Sequence, residues 1–301
     1  MKTKTLLTIG ECMVEMAPDG HGKYAMNFAG DTLNTAWYAK RCLAGHEDYS
    51  VGYLTSVGTD DISDKMLDFL KASGVDTSHI ARISDRTVGL YMIQLADGER
   101  SFAYWRDNSA AKLLAADPNA LDAAFSGDQI LLFSGITLAI LSPEHRQNLI
   151  EALARARAQG AQVVFDTNIR PRLWETPTAT KEWLSKAAAI ADVMLPSFDE
   201  EEDMFGDTKP QDTAQRYRDL GAHTVIVKNG AHEMYAWSQG EGGMSISPDP
   251  VSPVDSTAAG DSFNAGYITA RMQGADLEGA LRAGMTLSAQ VVQHRGALVA
   301  L

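Results

Sequence analysis

The amino-acid sequence predicts an α/β fold with a doubly wound, mainly parallel sheet and helices on both faces, on three observations. From residue 129 onward, short apolar runs of strand length alternate with longer amphipathic segments of helix length. The runs at 129–133, 161–166 and 224–227 are almost continuous hydrophobes, as strands covered on both faces require. Small and polar residues cluster directly after several of those runs, where open α/β sheets place their ligands.

Taken in order, residues 6–13 form a short apolar run that suits a buried first strand. Residues 19–28 are polar, Gly-containing and weakly alternating, as an exposed hairpin would be. A helical pattern runs from 29 to about 42, followed by a strand at 50–57 and a helix at 62–72 that ends at Ser73-Gly74. Residues 87–95 and 100–105 are β-rich and separated by Ala96-Asp-Gly-Glu99, a hairpin signal. After the strand at 129–133, Ser142-Pro143 caps a long helix that Gly160 ends. A strand at 161–166, a helix at 180–191 and a strand at 193–195 come next. Helices at 198–205 and 212–220, a strand at 224–227 and a hairpin at 233–246 follow, and helices at 260–273 and 277–294 close the fold. No internal repeat or linker interrupts the 301 residues, so one core domain is expected.

Composition excludes several classes. A formal net charge of −13 argues against a nucleic-acid partner, which requires a basic face. It also means that a bound anion must meet locally concentrated positive groups. Cys12 and Cys42 have neither metal-ligand nor disulfide-framework spacing and suit buried reduced thiols. Glu11 and Glu15 break the first apolar run before it reaches signal-peptide length, and no run is long enough to span a membrane. The expectation is a cytoplasmic protein with no membrane partner. Neither G-x-x-x-x-G-K nor G-x-G-x-x-G occurs, and the seven histidines lack metal-hydrolase spacing.

The most informative stretch is 254–267, in which Asp255-Ser-Thr-Ala-Ala-Gly-Asp261 leads into a helix. Small residues at a helix's first turn let an anion approach backbone N–H groups on the positive end of the helix dipole. A carboxylate beside such a cradle suits proton removal from a hydroxyl that attacks a phosphoryl group. Capping alone would also explain one Asp there. It does not explain the whole stretch.

That stretch resembles the C-terminal signature of the PfkB (ribokinase-like) carbohydrate kinases, D-T-x-G-A-G-D. Ala258 stands where many members carry Gly; Ala forbids little if the local φ is negative, so a working cradle is expected, whereas a positive φ there would be strained. A second stretch, Gly30-Asp31-Thr-Leu-Asn34, resembles the family's N-terminal signature, although Asp31 also suits an N-cap. Gly10-Glu-Cys-Met-Val-Glu15 and Tyr104-Trp-Arg106 extend the similarity, as does Asp166-Thr-Asn-Ile-Arg-Pro-Arg-Leu-Trp174. These resemble above all the members that act on 2-keto-3-deoxygluconate (KDG).

The resemblance implies a ribokinase-like sheet plus a small β-sheet lid drawn from about 15–28 and 87–106, which often serves as a homodimer surface. It implies an ATP-dependent sugar kinase that forms a 6-phosphate, with a small acid sugar and ATP as partners and Mg²⁺ as cofactor. Asp261 would be the base, aided by the Ala258, Ala259 and Gly260 amides and by Arg170. Gly30, Asp31, Asn34, Tyr91, Tyr104, Arg106, Arg170 and Asp261 would bind the sugar. Asn168, Ser197, Lys228, Gly230, Thr257, Ala258 and Gly260 would border ATP. Glu200 would organise magnesium through water, in a segment where Ser197-Phe-Asp-Glu200 replaces the family's N-x-x-E. The rest of Asp199–Asp203 reads as a solvated acidic helix start. Asp255 would support the cradle or simply order the loop. A kinase of fructose or another neutral sugar is the alternative, and a non-catalytic sugar-binding regulatory protein the different-class one.

Overall fold

The computed structural model describes residues 3–96 and 99–300. Asp97 and Gly98, at the centre of the hairpin expected at 96–99, lie outside the described residues. Thirteen strands and ten helices are found among the described residues. The strands are β1 Lys4–Ile9, β2 Met13–Pro18, β3 Tyr24–Ala29, β4 Tyr49–Val57, β5 Ile80–Arg82, β6 Gly89–Ala96 and β7 Glu99–Trp105. β8 Gln129–Ser134, β9 Gln162–Asp166, β10 Val193–Met194, β11 Thr224–Val227, β12 Met234–Ser238 and β13 Gly242–Ile246 complete them. The helices are α1 Asp31–Cys42, α2 Asp61–Ala72, α3 Pro118–Ala124, α4 Gly135–Ile140 and α5 Pro143–Ala158. α6 Pro177–Ile190, α7 Phe198–Phe205, α8 Pro210–Asp219, α9 Ala259–Met272 and α10 Leu277–Val291 follow.

Nine strands form one sheet in the order β13-β12-β11-β10-β9-β8-β1-β4-β5. Every pair is parallel except β11–β12 and β12–β13. The period-two alternation of side chains explains the continuous apolar runs. Leu6, Ile130, Leu132, Val164 and Ile226 pack on one face against α1, α9 and α10. Their neighbours Leu7, Leu131, Phe133, Val163, Phe165 and Val225 pack on the other against α3 to α6 and α8. Each such side chain contributes about 1.5–3 kcal/mol by leaving water. The expected doubly wound fold is therefore borne out. Sequence periodicity missed only short pieces, among them β5, α3 and α4.

β1 lies between β8 and β4, so the chain winds in opposite directions on its two sides. Such a switch opens a crevice beyond the strands' carboxyl ends. Over that crevice stands a second sheet, ordered β3-β2-β6-β7. Its edge strands β3 and β7 carry most of the exposed large apolar side chains, namely Tyr24, Met26, Phe102, Tyr104 and Trp105.

Candidate active site

The connections after β8, β9, β10 and β11 open on this crevice, because parallel strands end on the same side, and the segments after β3 and β13 reach it as well. They enclose a cavity of about 400 Å³ whose wall includes Gly30, Asp31, Asn34, Asp166, Asn168, Arg170, Ser197, Glu200, Lys228 and Thr257 to Asp261. Met13, Tyr91, Phe102 and Tyr104 of the smaller sheet line it from above. A larger but more open depression of about 620 Å³ lies beside Phe205, Asp212 and Arg216, away from every residue expected to act.

Four helices begin at the cavity: α1 after Gly30, α7 after Ser197 and α9 after Ala258 have no side-chain cap, whereas α4 is capped by Ser134. Helices that start elsewhere on Asp60, Asp117, Ser142, Thr176 and Asp276 are capped by those side chains, and among the other α-helices of the described residues only α8, after Lys209, lacks such a cap. Positive helix ends therefore converge on the cavity. Gly30, not Asp31, is the N-cap of α1, and a Cβ there would lie 2.1 Å from the Glu11 carbonyl oxygen. Asp31, one residue on, turns its carboxylate to the Thr32 N–H (2.8 Å) and to Nδ2 of Asn168 (2.8 Å).

Asp261, in the first turn of α9, accepts from Asn34 Nδ2 at 2.8 Å. Burial pushes its carboxyl up to about 8, and the nearby charges of Asp31 and Asp166 add to the effect. The Asn34 hydrogen bond and the Lys228 ammonium oppose it. Lys228 is itself buried, with Nζ 3.2 and 3.3 Å from the Asp166 oxygens and 3.3 Å from Asn264 Oδ1. A Cβ added at Gly260 would sit 3.5 Å from that ammonium, so a fixed positive charge backs the start of α9.

Elsewhere in the lining Glu200 accepts from the Ile169 N–H at 2.8 Å and from Arg170 Nη1. Burial raises the Glu200 carboxyl, while Arg170 and the Ile169 N–H pull it back. Burial, the largest single effect, would lower the Arg170 guanidinium, but the charge and hydrogen bond of Glu200 together with the charges of Asp31 and Asp166 leave the group raised.

Several expectations need correction. Ala258 adopts φ 60, ψ 16, the left-handed region, so of the two cases the strained one holds and this alanine carries strain that Gly would not. The Ala259 N–H is given to the Ser256 carbonyl (3.2 Å), which leaves Ala258 and Gly260 as the candidate cradle donors. Arg106 does not line the cavity, because its Nη2 is paired with buried Glu11. The Tyr91 ring lines the cavity, but its hydroxyl donates to Glu15 Oε2, and Gly230 lies outside the lining. Glu201 is not solvated: it is fully buried and accepts from Arg216 Nη2 and Tyr217 Oη, both at 2.8 Å. Cys12 is buried as expected, whereas Cys42 is only partly so. Asp255 orders its loop, accepting from the Thr257 N–H (3.0 Å) and hydroxyl (2.7 Å) and from the Gly296 N–H (2.8 Å).

Sequence reasoning passed over Asp166 and Asn264 as site residues. Asn264 stands three positions after Asp261 on the same helix, hence on the same face, and that spacing was the available signal. Glu11, which holds Arg106, had no signal beyond its place in Gly10-Glu-Cys.

The profile of the pfkB family carbohydrate kinases matches residues 3–301. The chain belongs to the PfkB family. A PfkB sugar kinase is thus the enzyme class, and ATP is the family's co-substrate. The 2-dehydro-3-deoxygluconokinase of Escherichia coli K12 is 37% identical over 99% of this chain and 97% of its own length. Among solved structures, a fructokinase from Xylella fastidiosa with bound ATP superposes with a TM-score of 0.84. It is 26% identical and covers 97% of this chain and 93% of its own. Aminoimidazole riboside kinase from Salmonella enterica, complexed with aminoimidazole riboside and an ATP analogue, gives 0.83 at 26% identity. That match covers 97% of this chain and 95% of the other. No helix among the described residues is long and apolar enough to cross a membrane.

Proposed function

We propose that this PfkB kinase transfers the γ-phosphoryl group of ATP to the primary hydroxyl of 2-keto-3-deoxygluconate, giving the 6-phosphate. The placement of Asp261 carries the reading: a partly buried carboxylate, aimed by Asn34, at the start of an uncapped helix. Asp261 takes the hydroxyl proton as the sugar oxygen bonds to the γ-phosphorus. The bond from that phosphorus to the β,γ-bridging oxygen breaks, and ADP leaves with its electron pair. The Ala258 and Gly260 N–H groups and Arg170 face the charge that develops. Asp31 and Asn34 accept and donate to sugar hydroxyls. Asn168, Ser197, Lys228 and Thr257 border the nucleotide, with Gly230 in the turn beyond.

The acid sugar is supported by the relatives' names and by Arg170, a half-exposed cation in the wall of a cavity within a chain of net charge −13. Arg106 stands one layer behind, held by Glu11. Magnesium would arrive on the nucleotide phosphates and neutralise their charge. Glu200 fits a hold through water only, since both its oxygens already accept hydrogen bonds. No cluster of three or more candidate ligands for a metal occurs among the described residues. The smaller sheet would act as a lid that excludes water from the transfer. Its exposed Tyr24, Met26, Phe102, Tyr104 and Trp105 would meet a second copy, which a sedimentation-derived mass of a monomer would refute.

A coupled ADP-release assay with ATP and Mg²⁺, comparing KDG, its galactonate epimer, gluconate, fructose and ribose, tests the substrate. Turnover confined to the keto-deoxy acids is expected. Preference for fructose would keep the kinase and overturn the acid-sugar reading. Absence of phosphoryl transfer to every sugar would favour a binding protein.

A further inference from the structure

The segment from Asp166 to Glu175 delivers Asp166, Asn168 and Arg170 to the cavity, yet only the short 3-10 turn Pro171–Leu173 gives it regular structure. Asn168 within it lies at φ 28. Such left-handed conformations cost on the order of 1 kcal/mol and persist only where the surroundings impose them. One end of the segment is fixed by β9. The other is fixed by Arg146 of α5, whose side chain is almost completely buried.

Arg146 Nε donates to the Leu138 carbonyl at 2.7 Å and Nη2 to the Ala139 carbonyl at 3.2 Å. Nη1 and Nη2 reach the two carboxylate oxygens of Glu175 at 3.0 and 2.9 Å. The rings of Trp174 and Trp183 lie 4.8 and 5.7 Å from the guanidinium carbon. The two carbonyls belong to α4, whose first residue, Gly135, packs so closely that a Cβ would lie 1.9 Å from the Thr167 carbonyl oxygen. Helix α4 therefore meets the segment at its start directly and at its end through Arg146. A buried ion pair often adds little stability over apolar packing of the same volume. What this planar fork supplies is a fixed geometry among three chain segments.

We propose that the Arg146–Glu175 pair is a positioning device for phosphoryl transfer: it sets the placement of Arg170 and Asn168 without touching substrate. The inference rests on the role given to Arg170 above. Glu175 is the safer position to probe, because its side chain is half exposed and little core is lost with it.

The test is a double-mutant cycle of Glu175→Ala with Arg170→Ala, read as kcat and KM and assayed well below each melting temperature. Glu175→Ala should lower kcat about tenfold, with KM for both substrates changed less than kcat, since small misplacement of a transition-state group is costly. In the Arg170→Ala background the same change should cost less than about twofold, the mark of coupled residues. Glu175→Gln, which keeps an acceptor for Arg146, should restore most of the rate. If Glu175→Ala does not fold, Glu175→Leu, which keeps side-chain volume and removes the acceptor, takes its place in the cycle. A lowered melting temperature with unchanged kcat would reduce the pair to a structural role and overturn the proposal. So would an equal loss in both backgrounds. Parental kcat in Arg170→Ala alone would overturn the role of Arg170 itself, and this inference with it.

Discussion

Two of the carboxylates that line the cavity, Asp261 and Glu200, differ in company more than in burial. Asp261 has like charges from Asp31 and Asp166 beside it, and its close partner is the neutral amide of Asn34. Glu200 has a guanidinium and a backbone N–H on its two oxygens. Burial raises both, but only Asp261 is driven up to about 8, where it exchanges a proton near neutrality. In the proposed reading the first takes the proton and the second holds Arg170 in place. The difference shows that burial alone does not set a carboxyl's affinity for a proton; the neighbours contribute.

Removing each carboxylate is the sharpest way to break the comparison. Asp261→Asn should lower kcat by about 10²–10⁴-fold while the melting temperature stays within a few degrees of the parent, as steady-state rates and calorimetry would show. Glu200→Gln keeps shape and loses only charge, so the loss in kcat/KM should be on the order of tenfold, about 1.4 kcal/mol. Equal losses from the two would erase the proposed division of labour.

The pH profile sharpens it further. Below about 8 the free enzyme holds Asp261 protonated and unable to accept a proton, so kcat/KM should rise with pH through that region and then level. Asp31→Asn removes a like charge, stabilises the ionised form of Asp261 and should move the rise to lower pH, alongside weaker sugar binding. A profile that stays in place would mean that Asp31 does not govern Asp261.

The smallest effect expected is at the cradle. Ala258→Gly relieves a left-handed alanine, a strain of about 1–2 kcal/mol that the greater freedom of Gly in the unfolded chain partly offsets. Net stabilisation of roughly 1 kcal/mol should raise the melting temperature by about 2 °C in a chain of this size. A fall on substitution would show that the αL geometry is not strained.

Much of this was legible beforehand. The helix at 198–205 and the strand at 224–227 match α7 and β11, because period and punctuation there are local properties of the chain. Gly30, Asp31, Asn34, Asn168, Arg170, Lys228 and Asp261 line one cavity; the sequence placed Asn168, Arg170 and Lys228 just after strands and the others at helix starts. Glu201 was misread because its acidic neighbours suggest solvent, and only α8, arriving with Arg216 and Tyr217, reveals a buried acceptor.

The sequence by itself determined the alternation of strands and helices, the small-residue start of α9 and the side chains available for chemistry, since each depends on residues close in the chain. Tertiary structure alone decided how those side chains are matched. Arg106 is held by Glu11, 95 positions away, Asn34 aims Asp261 across 227, and Asp31 meets Asn168 across 137. Charge, burial and hydrogen bonding act through space, and no local pattern records which distant residue will be the neighbour.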